Sequence, residues 1–224
     1  MATTLALDVY GTLIDTHAIT EELEGLLGER ALAFARAWRE RQLEYAFRRT
    51  IMGWYADFSV CIRDALDYTA SAFGITLAQA DRERLLAAYQ RLPAFQEAQM
   101  ALQAVQEQGH VAYAFTNGSR EAASKLLGDN SLRPYVRDIV SAEQVEAFKP
   151  SPRVYDAFLA ATGSRPEQTW LVSSNAFDIV GARACGWHAV WVRRLPGAIF
   201  DSWGEEPTAT IASLADLPSV LPPR

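Results

Sequence analysis

Asp8 closes the apolar run TLALDV, residues 4–9, and a carboxylate held there can serve as a nucleophile or a base. Three further clusters share its polar character. Thr116-Asn117-Gly118-Ser119 ends the run HVAYAFTNGS, and Lys149-Pro150 precedes the helical stretch SPRVYDAFLAATG. Ser173-Ser174-Asn175 ends TWLVSS, with Asp178 three residues on. The set comprises two carboxylates, a lysine, several hydroxyls and two amides. A lysine beside carboxylates keeps them ionised, and fixed hydroxyls orient a reacting oxygen. Any one of these residues alone is commonly a helix cap or turn former, as Ser119 and Ser174 are by type. Four clusters at successive strand ends point to one site.

The elements around them must bring those ends together. Residues 4–9 read as a buried strand. From Ile19 to about Phe95 no strand pattern appears; LLGERALAFARAWRERQLEYAFRRT, SVCIRDALDYTASAFGI and DRERLLAAYQRL carry apolar residues at three- and four-residue spacing, with Gly74 and Pro93 as stops. After Pro93 helices alternate with short apolar runs: HVAYAFTNGS, DIVSAE, TWLVSS and HAVWVRR, then a final strand-like TATIAS. That alternation specifies an α/β fold, a doubly wound, mainly parallel Rossmann-like sheet. The expected organisation is a core of residues 1–16 and 96–224, with a helical cap subdomain over 17–95. An insertion directly after the first strand sits above the carboxyl ends of the strands, where open α/β sheets bind ligands.

Composition narrows the classes. The 224 residues are 50% hydrophobic and 21% charged, enough for a substantial core. A net charge of −6 without a basic stripe argues against a nucleic-acid partner, yet local cations can still bind a small anion. No run approaches the roughly 20 apolar residues that span a bilayer. The first residues lack the basic start of a signal peptide, so the expected setting is the cytoplasm, with no membrane partner. Cys61 and Cys185 have no metal-ligand company and read as buried, reduced thiols. His17, His110 and His188 do not cluster and read as structural or surface residues.

DVYGTL, FTNGS, KPSPRVY and SSNAFD, in this order, resemble the four signature motifs of the haloacid dehalogenase superfamily. The resemblance spans essentially the whole chain, including the cap. Phosphatases of that superfamily carry D-x-D at the first motif and an acid at the position of Ser174 that helps to hold magnesium. Here Tyr10 replaces the second acid and Ser174 the metal ligand, which disfavours phosphoryl transfer. D-x-Y-G-T, S-S-N-x-x-D and the cap stretch WRERQLEY, residues 38–45, instead look like the L-2-haloacid dehalogenase branch.

That resemblance implies hydrolysis of L-2-haloalkanoic acids to D-2-hydroxyalkanoic acids, with no metal and no cofactor. Asp8 would attack the alpha carbon and water would hydrolyse the ester. Lys149 would keep Asp8 ionised, with Asp178 holding Lys149 or orienting the water. Arg39 would accept the halide, helped by Asn117. Thr116 and Ser173 would bind the substrate carboxylate or the carboxylates around it, and Asn175 would position Asp178 and the water. Thr12 would donate to Asp8, and Tyr155 would support Lys149 or Asp8. Tyr10, Leu43, Phe58 and Phe177 would line an apolar pocket. Thr116 stands where these dehalogenases usually have Ser, and Phe177 where Trp is common, changes that bear on substrate range. The apolar cap helices and the resemblance imply a homodimer. Two other readings remain: a magnesium-dependent phosphatase with rearranged ligands, and a non-catalytic binding module on the same fold.

Overall fold

Leu5, Ala6 and Leu7 have no exposed surface, as befits a strand covered on both faces, and they form β1 (Thr4–Asp8) in the centre of the sheet. The computed structural model describes residues 3–223. After β1 the chain builds four helices, α1 (Ile19–Leu27), α2 (Ala31–Met52), α3 (Phe58–Ala72) and α4 (Gln79–Tyr89). Asp57 caps α3 by accepting from the Ser59 amide. Trp38 of α2 is sealed from solvent, and its Nε1 donates to the Ile62 carbonyl of α3 at 2.8 Å, joining the two longest helices of the insertion.

The alternation expected after Pro93 is present. α5 (Ala98–Glu107) leads to β2 (Val111–Thr116), α6 (Arg120–Asp129) and the short β3 (Ile139–Ser141). Then come α7 (Pro152–Thr162), β4 (Thr169–Ser173), α8 (Ala176–Ala184), β5 (His188–Val192), β6 (Ala209–Ile211) and the short α9 (Leu217–Val220). The sheet order is β3-β2-β1-β4-β5-β6 and every pairing is parallel. From β1 the chain winds outward through β2 and β3, then crosses to β4 on the other side of β1. The carboxyl ends of β1 and β4 therefore flank the switch point, the crevice in which such sheets bind ligands.

The insertion leaves and rejoins the core at one crossing. Ile14 bridges Ala94, the Asp15 amide donates to the Pro93 carbonyl at 2.8 Å, and the Phe95 amide donates to Leu13 at 3.0 Å. Arg194, just past β5, ties this crossing to the loop after β1. Its Nη2 donates to the Thr12 carbonyl at 2.6 Å, its Nη1 meets Glu97 at 2.7 Å, and its guanidinium lies over the Phe95 ring.

No helix among the described residues is long and apolar enough to cross a membrane. Both cysteines are free thiols; Cys61 is buried, which pushes its thiol up to about 11, while Cys185 is only half-buried. His17 is exposed, His110 is buried and His188 stacks on Trp170 at 4.6 Å, all away from the strand ends that carry the clusters.

Candidate active site

β1 ends in Asp8, and β4 delivers Ser173 and Asn175 beside it. The two oxygens of Asp8 have unequal surroundings. Oδ2 accepts from Thr12 Oγ1 at 2.8 Å, Asn175 Nδ2 at 2.8 Å and Ser173 Oγ at 3.2 Å. The direction of the two hydroxyl protons follows from the backbone. Thr12 Oγ1 accepts the Ser174 amide at 2.9 Å and Ser173 Oγ accepts the Asn175 amide at 3.1 Å, so each hydroxyl has its proton free for Asp8. Among the described residues, Oδ1 receives Lys149 Nζ alone, at 2.9 Å.

The turn after Asp8 makes this possible. Gly11 has φ +91°, a region open to glycine, and a Cβ there would press on Ser174 Oγ at 3.3 Å. Ser174 Oγ donates to the Gly11 carbonyl at 2.7 Å, which ties the loop after β1 to the loop after β4.

Lys149 is sealed from solvent and uses all three ammonium protons: on Asp8 Oδ1, on Asp178 Oδ2 at 2.7 Å and on the Phe115 carbonyl at 3.1 Å. Burial is the largest influence on this ammonium and opposes its charge. Asp178 and then Asp8 more than offset it, so Lys149 holds its proton more tightly than an ordinary lysine. Asp178 is fully buried on the first turn of α8. Desolvation raises its proton affinity above that of an ordinary aspartate, Lys149 pulls the other way, and the Asp8 charge adds to the rise. Its Oδ1 accepts the Tyr155 hydroxyl at 2.8 Å. Burial first, then Asp178, holds the Tyr155 phenol neutral and donating. Gly181 makes room for this contact, since a Cβ there would overlap the Tyr155 hydroxyl.

Above Asp8 the helices of the insertion close a cavity of about 10 Å³, room for one water-sized molecule, lined by Asp8, Tyr10, Arg39, Leu43, Phe58, Asn117, Lys149, Asn175 and Phe177. Arg39 and Leu43 come from α2, Phe58 from the start of α3 and Phe177 from α8. Phe177 meets Phe47 of α2 edge-on at 5.1 Å, and the Phe148 amide donates to Thr50 Oγ1 at 2.9 Å, so insertion and core touch directly around the cavity. Arg39 reaches the core through Nη2, 3.3 Å from the Tyr10 carbonyl.

All nine lining residues belong to the set read from the sequence; Asp178, Ser173, Thr12, Tyr155 and Thr116 stand behind them. Several contacts differ from those expected. Tyr155 reaches Asp178, not Lys149 or Asp8, because α7 presents it to the first turn of α8. The Asn175 amide meets Asp8 and, at 3.3 Å, the Tyr10 carbonyl, where contact with Asp178 was expected. Asn117 clamps the Lys149 main chain, its Oδ1 accepting the Lys149 amide at 2.7 Å and its Nδ2 3.5 Å from the Lys149 carbonyl. Thr116 accepts the Gly118 amide at 3.0 Å and shapes the loop after β2, away from the cavity. Ser119 is the cap of α6, accepting from Ala122. Gln42 and Tyr89, which the sequence reading passed over, adjoin Arg39; the spacing of Gln42, three residues past Arg39 on one helix, was the available signal. Among the described residues no cluster of three or more His, Cys, Asp or Glu side chains is placed to hold a metal ion.

Comparison with known proteins agrees with this frame. The family model for haloacid dehalogenase-like hydrolases matches residues 2–186. (S)-2-haloacid dehalogenase 1 of Pseudomonas sp. (strain CBS-3) is 34% identical over 96% of this chain and 94% of that protein. Haloacetate dehalogenase H-2 of Moraxella sp. (strain B) is 32% identical over 92% of each. The structure of L-2-haloacid dehalogenase from Xanthobacter autotrophicus with chloropropionic acid covalently bound superposes with a TM-score of 0.91, at 26% identity over 98% of both chains. Matched by the family model over most of its length and by relatives a third identical almost end to end, the chain belongs to the haloacid dehalogenase-like hydrolases and sits among their (S)-2-haloacid dehalogenases.

Proposed function

We propose that the protein hydrolyses L-2-haloalkanoic acids to D-2-hydroxyalkanoic acids through an ester on Asp8, without a metal. The unequal surroundings of the two Asp8 oxygens carry this reading. Oδ1, with one donor, keeps lone pairs free to attack the alpha carbon opposite the halogen. The C–O bond forms as the carbon–halogen bond breaks, and the halide leaves with its electron pair toward Arg39 and the Asn117 amide, inverting the carbon. A fixed guanidinium suits a departing anion, and no proton is needed. A cavity this small keeps Asp8 poorly hydrated, which strengthens a weak nucleophile.

Water then attacks Cγ of the ester. Negative charge develops on Oδ2, where Thr12, Ser173 and Asn175 already aim three donors, an arrangement of the oxyanion-hole type. The water gives one proton to the Lys149–Asp178 pair, whose carboxylate has a raised proton affinity. The bond between Cγ and Oδ1 breaks, and the product oxygen takes that proton back. Asp8, now carrying the water oxygen, loses its proton to solvent.

A phosphatase would need an acid for its leaving oxygen. Tyr10 stands at that position with its phenol raised by burial, and Ser174 commits its hydroxyl to Gly11. Residues 17–95 act as a cap that opens about the Ile14–Ala94 crossing to admit substrate. The protein acts in the cytoplasm as a homodimer built on the cap, a reading supported by the large exposed apolar side chains of Ile51, Met52 and Trp54. The test is halide release from L-2-chloropropionate in excess EDTA, with Asp8→Asn as control. Release by the wild type alone supports the reading. A folded wild type that releases no halide contradicts it, and magnesium-dependent hydrolysis of a phosphate ester would then favour the phosphatase.

A further inference from the structure

Gln42 lies one helical turn beyond Arg39 on α2 and has no exposed surface. Its Oε1 accepts the Tyr89 hydroxyl at 2.8 Å and Arg39 Nη1 at 3.4 Å. Both neighbours are donors, so the amide has one sensible orientation, with Oε1 toward them. That leaves Nε2 buried with no partner among the described residues. This uncompensated donor offsets what the contact with Tyr89 contributes, so stability alone does not explain a glutamine here.

The frame around the amide is rigid. Tyr89 of α4 stacks on Tyr10 at 6.2 Å and tilts against Trp38 at 5.3 Å. Burial raises the Tyr89 phenol, which stays a donor and leaves Gln42 the acceptor. Arg39 is thus anchored at both ends of its guanidinium, by Gln42 on the insertion and by the Tyr10 carbonyl on the core, through contacts of 3.4 and 3.3 Å. Contacts this long hold the group while leaving its remaining donors for an anion. A glutamate at 42 would reach the same place, but its charge would pair with Arg39 and compete with a halide. A neutral amide oxygen orients the cation without quenching it.

We infer that Gln42, itself held by Tyr89, is a positioning residue that sets Arg39 for the departing halide and keeps it charge-available. The inference rests on the dehalogenase reading above.

Three variants test it: Gln42→Glu, Gln42→Leu and Tyr89→Phe. The readouts are bromide binding followed by tryptophan fluorescence, and single-turnover halide release from L-2-chloropropionate and L-2-bromopropionate. Gln42→Glu is expected to weaken bromide binding at least 10-fold. It should also slow chloride release more than bromide release, since the poorer leaving group leans harder on Arg39, and leave ester hydrolysis unchanged. Tyr89→Phe should shift both readouts the same way by a few-fold, and it carries the test if the glutamate variant does not fold. Gln42→Leu, which also deprives the buried Tyr89 hydroxyl of its acceptor, should release halide more slowly, and combining it with Tyr89→Phe should restore stability but not the rate. Folded variants with wild-type bromide affinity and an unchanged chloride-to-bromide rate ratio would overturn the inference while the wild type still dehalogenates. A wild type that releases no halide would overturn the underlying reading, and the inference with it.

Discussion

Lys149 Nζ lies 2.9 Å from Asp8 Oδ1 in surroundings that leave the lysine 1% and the aspartate 5% exposed. Charges so thoroughly removed from water need partners. The Lys149 ammonium provides one for Asp8 on the side that faces the cavity and one for Asp178 behind it. The lysine therefore serves two carboxylates at once, and the site stands or falls with it.

Lys149→Met should remove activity and cost about 3–5 kcal/mol of stability, because it leaves two buried carboxylates without a cation. Adding Asp178→Leu should recover part of that stability but none of the activity. Urea unfolding of the single and double variants measures the first effect, and halide release the second.

The same lysine sets a pH limb. It binds its proton more tightly folded than unfolded, so the stability it contributes is present below the ordinary lysine value of about 10.4 and is lost as pH rises through the folded-state value. Urea midpoints between pH 8 and 11 should fall for the wild type. Buried tyrosines, held neutral in the fold, add a decline of the same sign in both proteins. The Lys149 share is the steeper slope of the wild type relative to Lys149→Met above pH 10.

Gly181→Ala places a methyl group against the Tyr155 hydroxyl and so disturbs the donor to Asp178 Oδ1. A loss of about 1–3 kcal/mol is expected from overpacking, with slower ester hydrolysis. Tyr155→Phe should reproduce the kinetic effect without the steric one. Rapid-quench measurement of ester lifetime in the two variants separates these contributions.

Arg39→Lys keeps the charge but not the two-ended anchoring on Tyr10 and Gln42. Halide release should slow roughly 10²-fold, the scale of losing one fixed donor to a developing anion. Ester hydrolysis should be little changed. Burst kinetics with L-2-bromopropionate distinguish the two steps.

Much of this architecture is legible in the chain. Alternating apolar runs and helical spacing mark the strands, and polar residues at strand ends mark Asp8, Lys149, Asn175 and Asp178. The structure adds what spacing cannot carry. Whether the Tyr155 phenol meets Lys149, Asp8 or Asp178 depends on the angle at which α7 packs, a tertiary property. Thr116 and Asn117 are adjacent in sequence, yet one turns into its own loop and the other clamps the Lys149 backbone, because successive side chains leaving a strand diverge. Gln42 lies within the WRERQLEY stretch, but a glutamine on a helix carries no sign of its burial in its type; packing against α4 decides that.

On the proposed mechanism, Asp8 itself supplies the oxygen that becomes the product hydroxyl. A single turnover in ¹⁸O-water, with enzyme in excess over L-2-chloropropionate, tests it most directly. Mass spectrometry should find ¹⁸O in the Asp8 side chain and none in the first product formed. Label in that first product, with Asp8 unlabelled, would mean that water attacks the substrate directly, and would contradict the ester on Asp8.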